Sequence, residues 1–432
     1  MAAATVTPRR GSAPRARAGR RPVEYSILFT ATLCLLALGA VMVYSASSAE
    51  SLLTGSGDSS TYLKRYVMFG FAGIVALHVL SRHGLALVRG ATPLVLGVAF
   101  VCTLAVMVPG IGVEVNGATR WLAAGPLQFQ PSELLKLAII LYAVHLLARR
   151  PESVASIGEL ARPLLLVVGA ACALLMAQPD MGTTMVICFA LGALLIAAGT
   201  PIRILAVLGA GLAVLALALA AIEPYRMARL TAFVDPFADA GGAGFQSVQA
   251  LVAIGSGGFF GVGLGESVQK IFYLPEAHTD MILAIIGEEL GVLGMLAVVA
   301  LYGMIGYAGL RAAKAARDRY SKLLAAGVTS LILCQATLNF FAVLGMAPLT
   351  GVPLPFISYG STNLIVLLGA MGLLLNVAAT GGLPARAARP AAGRSGRLRA
   401  IDGGARATDR DGGRRDGRAR RAGAGGRGRA AG

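Results

Sequence analysis

The sequence predicts an all-α, polytopic membrane protein with about ten transmembrane helices, and three observations carry that expectation. Of the 432 residues, 56% are hydrophobic and only 14% charged, whereas soluble domains carry about 25% charged residues. Apolar runs long enough to approach a bilayer's width recur ten times. Lys and Arg are shared very unequally between the loops that alternate runs would place on opposite sides. The net charge of +17 belongs mostly to the ends of the chain, with +5 in residues 1–26 and +10 in residues 380–432, so the body is close to neutral. Neither end contains a Phe or Trp that could stack on bases, and nucleic acid is not expected as a partner.

The runs fall at 27–46, 66–80, 91–109, 132–148, 162–177, 182–200, 202–222, 281–309, 322–345 and 363–380. A spanning helix needs about 20 apolar residues, with tolerance for tilt; the second and fifth runs are the shortest. The first exceeds the 7–15 residues typical of a signal-peptide core and is read as an uncleaved helix. Ten passes return both termini to one side, and the positive-inside rule selects it. That side collects 31 Lys and Arg against 7 on the other. Both termini are therefore expected in the cytoplasm, with a large external loop, 223–280, between the seventh and eighth helices. Residues 1–26 and 381–432 are expected as disordered basic cytoplasmic tails, too poor in apolar surface to repay ordering and attracted to anionic membrane lipids. Residues 27–380 form the membrane domain.

Cys34, Cys102, Cys172, Cys188 and Cys334 are odd in number, lie in apolar runs and show no C-x-x-C spacing. They are read as small core residues, with neither a disulfide framework nor a zinc site. The four histidines are scattered.

Polar residues gather in the loops expected outside: 110–131, the turn 178–182, 223–280 and 346–362. The 223–280 loop holds eight aromatic residues, including Phe233, Phe245, Phe259 and Phe272, and is expected to fold against the membrane. Its glycines at 255–265 lack the Gly-Lys-Ser/Thr context of a phosphate loop. Two helix starts carry acids. In Gln130-Pro131-Ser132-Glu133-Leu134-Leu135-Lys136, proline and serine open the fourth helix and Glu133 sits in its first turn. Glu133 and Lys136 are three apart and hence neighbours; a capped helix with a local ion pair and a functional pair are both open readings. In Pro275-Glu276-Ala277-His278-Thr279-Asp280, Thr279 or Asp280 is placed to cap the eighth helix. Glu288 and Glu289 follow about 12 Å deeper; at about 100° per residue, Glu288 stands about 80° from Asp280 and Glu289 about 180°, so only Glu288 is expected in the same cavity.

The blocks Gly117-Ala118-Thr119-Arg120-Trp121, Phe129-Gln130-Pro131-Ser132-Glu133, Gln178-Pro179-Asp180-Met181-Gly182, Tyr273-Leu274-Pro275-Glu276-Ala277-His278-Thr279-Asp280 and Pro353-Leu354-Pro355-Phe356-Ile357-Ser358-Tyr359-Gly360 follow one another in that order. The chain resembles the SEDS family (shape, elongation, division and sporulation), ten-helix membrane glycosyltransferases that polymerise lipid II into peptidoglycan. The resemblance covers residues 27–380. Gly261 to Lys270, followed by Tyr273-Leu274-Pro275-Glu276, is closer to the division-type, FtsW-like branch than to the RodA-like elongation branch. Ser361 departs from the second glycine usual after Ser358-Tyr359-Gly360.

The resemblance implies that a sugar 4-hydroxyl attacks the anomeric carbon of a second lipid-linked disaccharide and expels undecaprenyl diphosphate. The implied catalytic acid maps onto Asp280. The expected substrate and diphosphate-binding residues are Arg120, Glu133, Lys136, Lys270 and His278, with Glu276, Glu288, Arg226, Arg229 and Ser358 as second choices. A divalent cation, Mg or Mn, is an expected helper, although no ligand set stands out in the sequence. Expected partners are lipid II, a class B penicillin-binding transpeptidase, other division proteins and membrane lipids, and the expected location is the septal cytoplasmic membrane. Ten Gly- and Pro-broken helices with buried Glu288 and Glu289 also fit a lipid II flippase or transporter. The clustering of polar residues at one face favours the polymerase.

Overall fold

A computed structural model describes residues 22–53, 58–115, 117–124, 127–222 and 224–381. Of the expected tails only residues 22–26 and 381 fall within it. The described helices are α1 (Val23–Leu53), α2 (Thr61–Ala105), α3 (Pro131–Arg149), α4 (Ile157–Ala177), α5 (Met181–Ala198), α6 (Ile202–Ile222), α7 (Pro224–Val234), α8 (Phe245–Gly257), α9 (Ile282–Ala315), α10 (Arg319–Val343) and α11 (Ser361–Thr380). The first helix thus begins before the expected domain start, and the long 223–280 loop contains two helices of its own. The long helices among these are largely apolar, and a lipid solvent demands that their backbone groups be satisfied within the protein.

Eight of the described helices are long and apolar enough to cross a membrane, and Ile202–Ala218 within α6 adds a shorter apolar stretch. The 45-residue α2 would reach about 67 Å if straight, but its contacts show that it doubles back. The Tyr62 ring meets His278 and Tyr359. Its middle lies elsewhere: the carbonyls of Leu80 and Ser81 accept from Asn376, and Arg89 pairs with Asp318 at 3.1 Å. Farther on, the carbonyl of Thr103 accepts from Gln178, which Arg120 ties to the loops around Tyr359 through the sheet that precedes α3. One helix in the hydrogen-bonding sense therefore makes two passes. With α6, the eight apolar helices amount to ten crossings.

The interior belongs to α3, α10 and α11, whose apolar stretches are 72%, 72% and 83% buried, while α2 and α4 face outward at 17% and 28%. Polar side chains on the three inner helices must therefore find protein partners. The loop 110–131 departs from the all-α expectation. It forms an antiparallel meander of β1 (Gly112–Val115), β2 (Ala118–Ala124) and β3 (Leu127–Phe129), with Val115 opposite Ala118 and Leu122 opposite Phe129. In the sequence, Asn-Gly follows a run with β-branched Val113 and Val115, which is a hairpin signal. The meander leads into α3, where Ser361 Oγ donates to the Gln128 carbonyl and the Gln130 amide donates to Thr362 Oγ1.

Helix α9 is broken. Gly291 has φ 66° and ψ −164°, and a Cβ there would stand 2.5 Å from the Gly261 nitrogen, so glycine is required for both conformation and space. The carbonyls released at the break are taken by a crossing strand of backbone. The Val262 amide donates to Glu288 O (2.9 Å) and the Gly263 amide to Glu289 O (3.1 Å), while the Val292 amide donates to Gly258 O (3.1 Å).

Candidate functional site

Asp280 sits just ahead of the short half of α9. Met281 is the N-cap residue and no side chain caps this helix, so neither Asp280 nor Thr279 serves the capping role the sequence allowed. The turn before it is tightly wound, with Glu276 at φ 56°, unusual for a residue with a side chain. The Glu276 carbonyl accepts from the amides of Thr279 and Met281, and Thr279 Oγ1 donates to Glu276 Oε2 at 2.6 Å. From α10, Asn339 Nδ2 donates to the Asp280 carbonyl (2.7 Å) and to the Val352 carbonyl (2.8 Å). The Asp280 carboxylate faces Gly351, whose absent Cβ would lie 3.9 Å from Oδ2.

Asp280 is partly exposed as a residue, yet protein crowds its carboxyl group. Desolvation, reinforced by the negative charge of Glu276, pushes its pKa up to about 7 against the opposing pull of Thr279 and Arg229. Arg229, on α7, donates to the Leu349 carbonyl at 2.9 Å. Beside it opens a cavity of about 500 Å³ lined by Arg229, Phe233, Gln246, Pro275 and Leu349 among others. A carboxyl group that titrates near neutrality, in the field of an arginine that itself lines an open cavity, can accept a proton from a hydroxyl brought to it.

The second acidic helix start has a different character. Glu133 and Lys136 are 2% and 1% exposed and pair at 2.9 Å, as their spacing predicts. Lys136 Nζ also donates to Gln335 Oε1 at 2.9 Å, and Gln335 Nε2 donates to the Pro353 carbonyl and to Asn363 Oδ1. Gln335 and Asn339, four apart on α10, thus link the Lys136 cluster to the backbone that carries Asp280. The sequence reading missed both, although two amides at helical spacing in an apolar helix are a visible signal. Asp180 caps α5 by accepting from the Thr183 amide at 3.0 Å, and its charge reaches Glu133. Arg120 spans to the same turn, donating to the carbonyls of Gln178 (3.0 Å) and Pro179 (2.5 Å).

Lys270 lies apart, 8% exposed. Its ammonium donates to Glu289 Oε1 at 2.9 Å, to Ser45 Oγ at 3.2 Å and to the Gly265 carbonyl. Glu288 accepts from Ser267 Oγ and from the Val268 amide at 3.0 Å. Both glutamates are therefore engaged by the 265–270 loop, whatever their difference in helical angle. The His278 ring is packed between Tyr62 (4.4 Å) and Tyr359 (5.7 Å). Ser358 Oγ accepts from the Leu354 amide at 2.7 Å and closes a turn. Arg226 belongs to α7, but its side chain is outside the described residues. Among the described residues no three His, Cys, Asp or Glu side chains converge as metal ligands. The cysteines are unpaired.

Residues 25–381 match the family model FTSW_RODA_SPOVE, described as cell cycle protein. Over 357 residues the chain is 41% identical to the probable peptidoglycan glycosyltransferase FtsW of Geobacter sp. (strain M18), covering 81% of this chain and 95% of that one. It is 38% identical over 353 residues to stage V sporulation protein E of Bacillus subtilis (strain 168), covering 81% and 96%. Among solved structures, a chain of a peptidoglycan synthase complex that coordinates polymerization and crosslinking matches with a TM-score of 0.68 at 28% identity, covering 83% of this chain and 98% of that one. The rod shape determining protein RodA of Thermus thermophilus matches with a TM-score of 0.60 at 28% identity, covering 83% and 97%.

Proposed function

The chain belongs to the FtsW, RodA and SpoVE family of cell cycle proteins and is a multi-pass membrane peptidoglycan glycosyltransferase of the FtsW type, and from that premise we propose that it polymerises lipid II during division with Asp280 as general base. The observation that carries this reading is a carboxyl group whose pKa is raised to about 7 and which feels the charge of Arg229, a residue lining the cavity. At that value the carboxyl group is about half ionised near neutral pH and is basic enough to accept a proton in the transition state. In the proposed step, the 4-hydroxyl oxygen of one disaccharide forms a bond to the anomeric carbon of the other. Its proton passes to Asp280 as the bond from that carbon to the diphosphate oxygen breaks. The leaving group carries the electron pair away as undecaprenyl diphosphate.

The developing charge on the diphosphate calls for cations. Arg120 and Arg229 hold backbone carbonyls at this end of the bundle and are the donors best placed to meet it. Lys136 and Lys270 already face Glu133 and Glu289; in this scheme Lys136 supports the site through Gln335. The turn of His278 and the tight loop at Ser358 supply walls. With this end of the bundle outside the cytoplasm, as the distribution of Lys and Arg requires, the site meets lipid II at the outer leaflet of the septal membrane. A class B penicillin-binding transpeptidase would crosslink the product, alongside other division proteins. Purified protein given lipid II should make glycan chains, and Asp280→Asn should not. Glycan synthesis by well-folded Asp280→Asn at the parent rate would remove Asp280 from this role and bring Glu276 forward. A cysteine at Ala240 should react with an impermeant maleimide added from outside and one at Ala316 should not; the reverse would invert the orientation.

A further inference from the structure

The break at Gly291 leaves the half of α9 that follows Asp280 without the continuous hydrogen-bond ladder that would fix its direction. Residues 282–290 form a lever of about 13 Å, with Asp280 just ahead of one end and Glu288 and Glu289 at the other. A lever of this kind needs a hold at each end. Near Asp280 the hold is Asn339. At the far end, beside the backbone bonds from Val262 and Gly263 and the contacts of Glu288 with the 265–270 loop, the hold is ionic: Lys270 pairs with Glu289 at 2.9 Å with side chains 6% and 0% exposed, and Ser45 of α1 both donates to Glu289 Oε1 at 2.6 Å and accepts from Lys270. Three segments distant in sequence, α1, the 265–270 loop and the half-helix, thus meet at one buried ammonium.

From this geometry we infer that Lys270 and Glu289, with Ser45 between them, are positioning residues that set the angle of the half-helix and so hold Asp280 at its substrate. Burying an ion pair is poorly rewarded as stability, since matched apolar residues often serve as well or better. What such a pair does supply is orientation, because it engages only when carboxylate, hydroxyl and ammonium coincide. Neither Lys270 nor Glu289 touches substrate in this scheme. Displacement of a reacting group by about 1 Å costs about 10²-fold in rate, so a clamp far from the chemistry is sufficient to control it.

This inference rests on Asp280 as the base, and the test separates the two. The full-length protein is purified, its melting temperature recorded, and kcat and KM for lipid II measured for the parent, Lys270→Met, Lys270→Arg and the double variant Lys270→Met with Glu289→Met. Lys270→Met alone leaves Glu289 unpaired and is expected to melt lower. The double variant removes both charges and should recover most of the melting temperature while kcat stays about 10- to 100-fold down with KM within about threefold. Lys270→Arg should retain most of kcat. A double variant whose kcat returns to within about threefold of the parent would reduce the pair to a structural contact and overturn the inference. So would a loss confined to KM, which would put Lys270 on the substrate. If instead Asp280→Asn turns over like the parent, the general-base reading fails, and this inference falls with it whatever the clamp variants show.

Discussion

Glu133 and Asp280 occupy equivalent places in the sequence, each an acid where an apolar helix begins after a proline-containing loop, and the fold treats them in opposite ways. Glu133 is sealed against Lys136 at 2.9 Å and tied through Gln335 into the packed interior. Asp280 has a neighbouring glutamate, the weaker opposing charge of Arg229 and crowding protein, and its pKa rises to about 7. A carboxylate with a buried counter-ion is committed to structure. One that is desolvated without a close counter-ion remains available to a proton.

The strongest way to break this contrast is Asp280→Asn, which keeps shape and removes basicity. Glycan synthesis from lipid II should fall by about 10²- to 10⁴-fold with the melting temperature little changed. The complementary change at the other acid is Lys136→Met, which strands Glu133 in the interior. It should cost about 3–5 kcal/mol in stability, read from denaturant unfolding in detergent, and joint replacement of Glu133 and Lys136 by Met should return much of that loss. A Lys136→Met protein as stable as the parent would show that the pair is not the structural member of the comparison.

The pH dependence sharpens the same distinction. As the proposed base, Asp280 would have to be ionised to act, so the initial rate should decline as pH falls through about 7. Stability should run the other way. The native carboxyl holds a proton that the unfolded chain, with a value near 3.8, has released, so between those values unfolding releases a proton and the contribution of Asp280 to stability falls as pH rises. Asp280→Asn should remove that component; an unaltered profile would deny the raised value. The smallest effect is expected at Arg120, which grips the turn preceding α5. Arg120→Ala should cost about 1–2 kcal/mol through its two bonds to carbonyls, with a larger loss of rate if it also meets diphosphate. Equal small losses in both would confine it to the turn.

The sequence allowed much of this to be read in advance, for identifiable reasons. Lipid leaves little freedom in how an apolar run folds, so the runs emerged as helices, and the i, i+3 spacing brought Glu133 to Lys136. The runs 66–80 and 91–109 read as two spans, but their continuity as one helix and the role of Asp280 at its helix start escape, because both depend on tertiary contact. The two passes of α2 are continuous in hydrogen bonding but separate in space, and only partners such as Asn376 and Gln178 distinguish its ends from its middle. Asp280 read equally well as a helix cap because the start of α9 at Ile282 is decided by the preceding turn, where Glu276 adopts φ 56°. Gln335 and Asn339 were legible as polar residues in an apolar helix, but their partners include backbone carbonyls of Pro353, Asp280 and Val352, which no sequence pattern marks.

The break in α9 also bears on the thickness of the membrane. Residues 292–315 alone form a rod of about 36 Å, slightly longer than the hydrocarbon core of about 30 Å, so Gly291 comes to the level of the lipid headgroups. Everything beyond that point, Asp280 included, is carried on top of a stiff column whose elevation changes with its tilt. A helix accommodates hydrophobic mismatch by tilting, which lowers whatever stands on it. The polymerase therefore has its working height written in the length of one half-helix, and vesicles of graded acyl-chain length would present its substrate at different depths to the same carboxyl group.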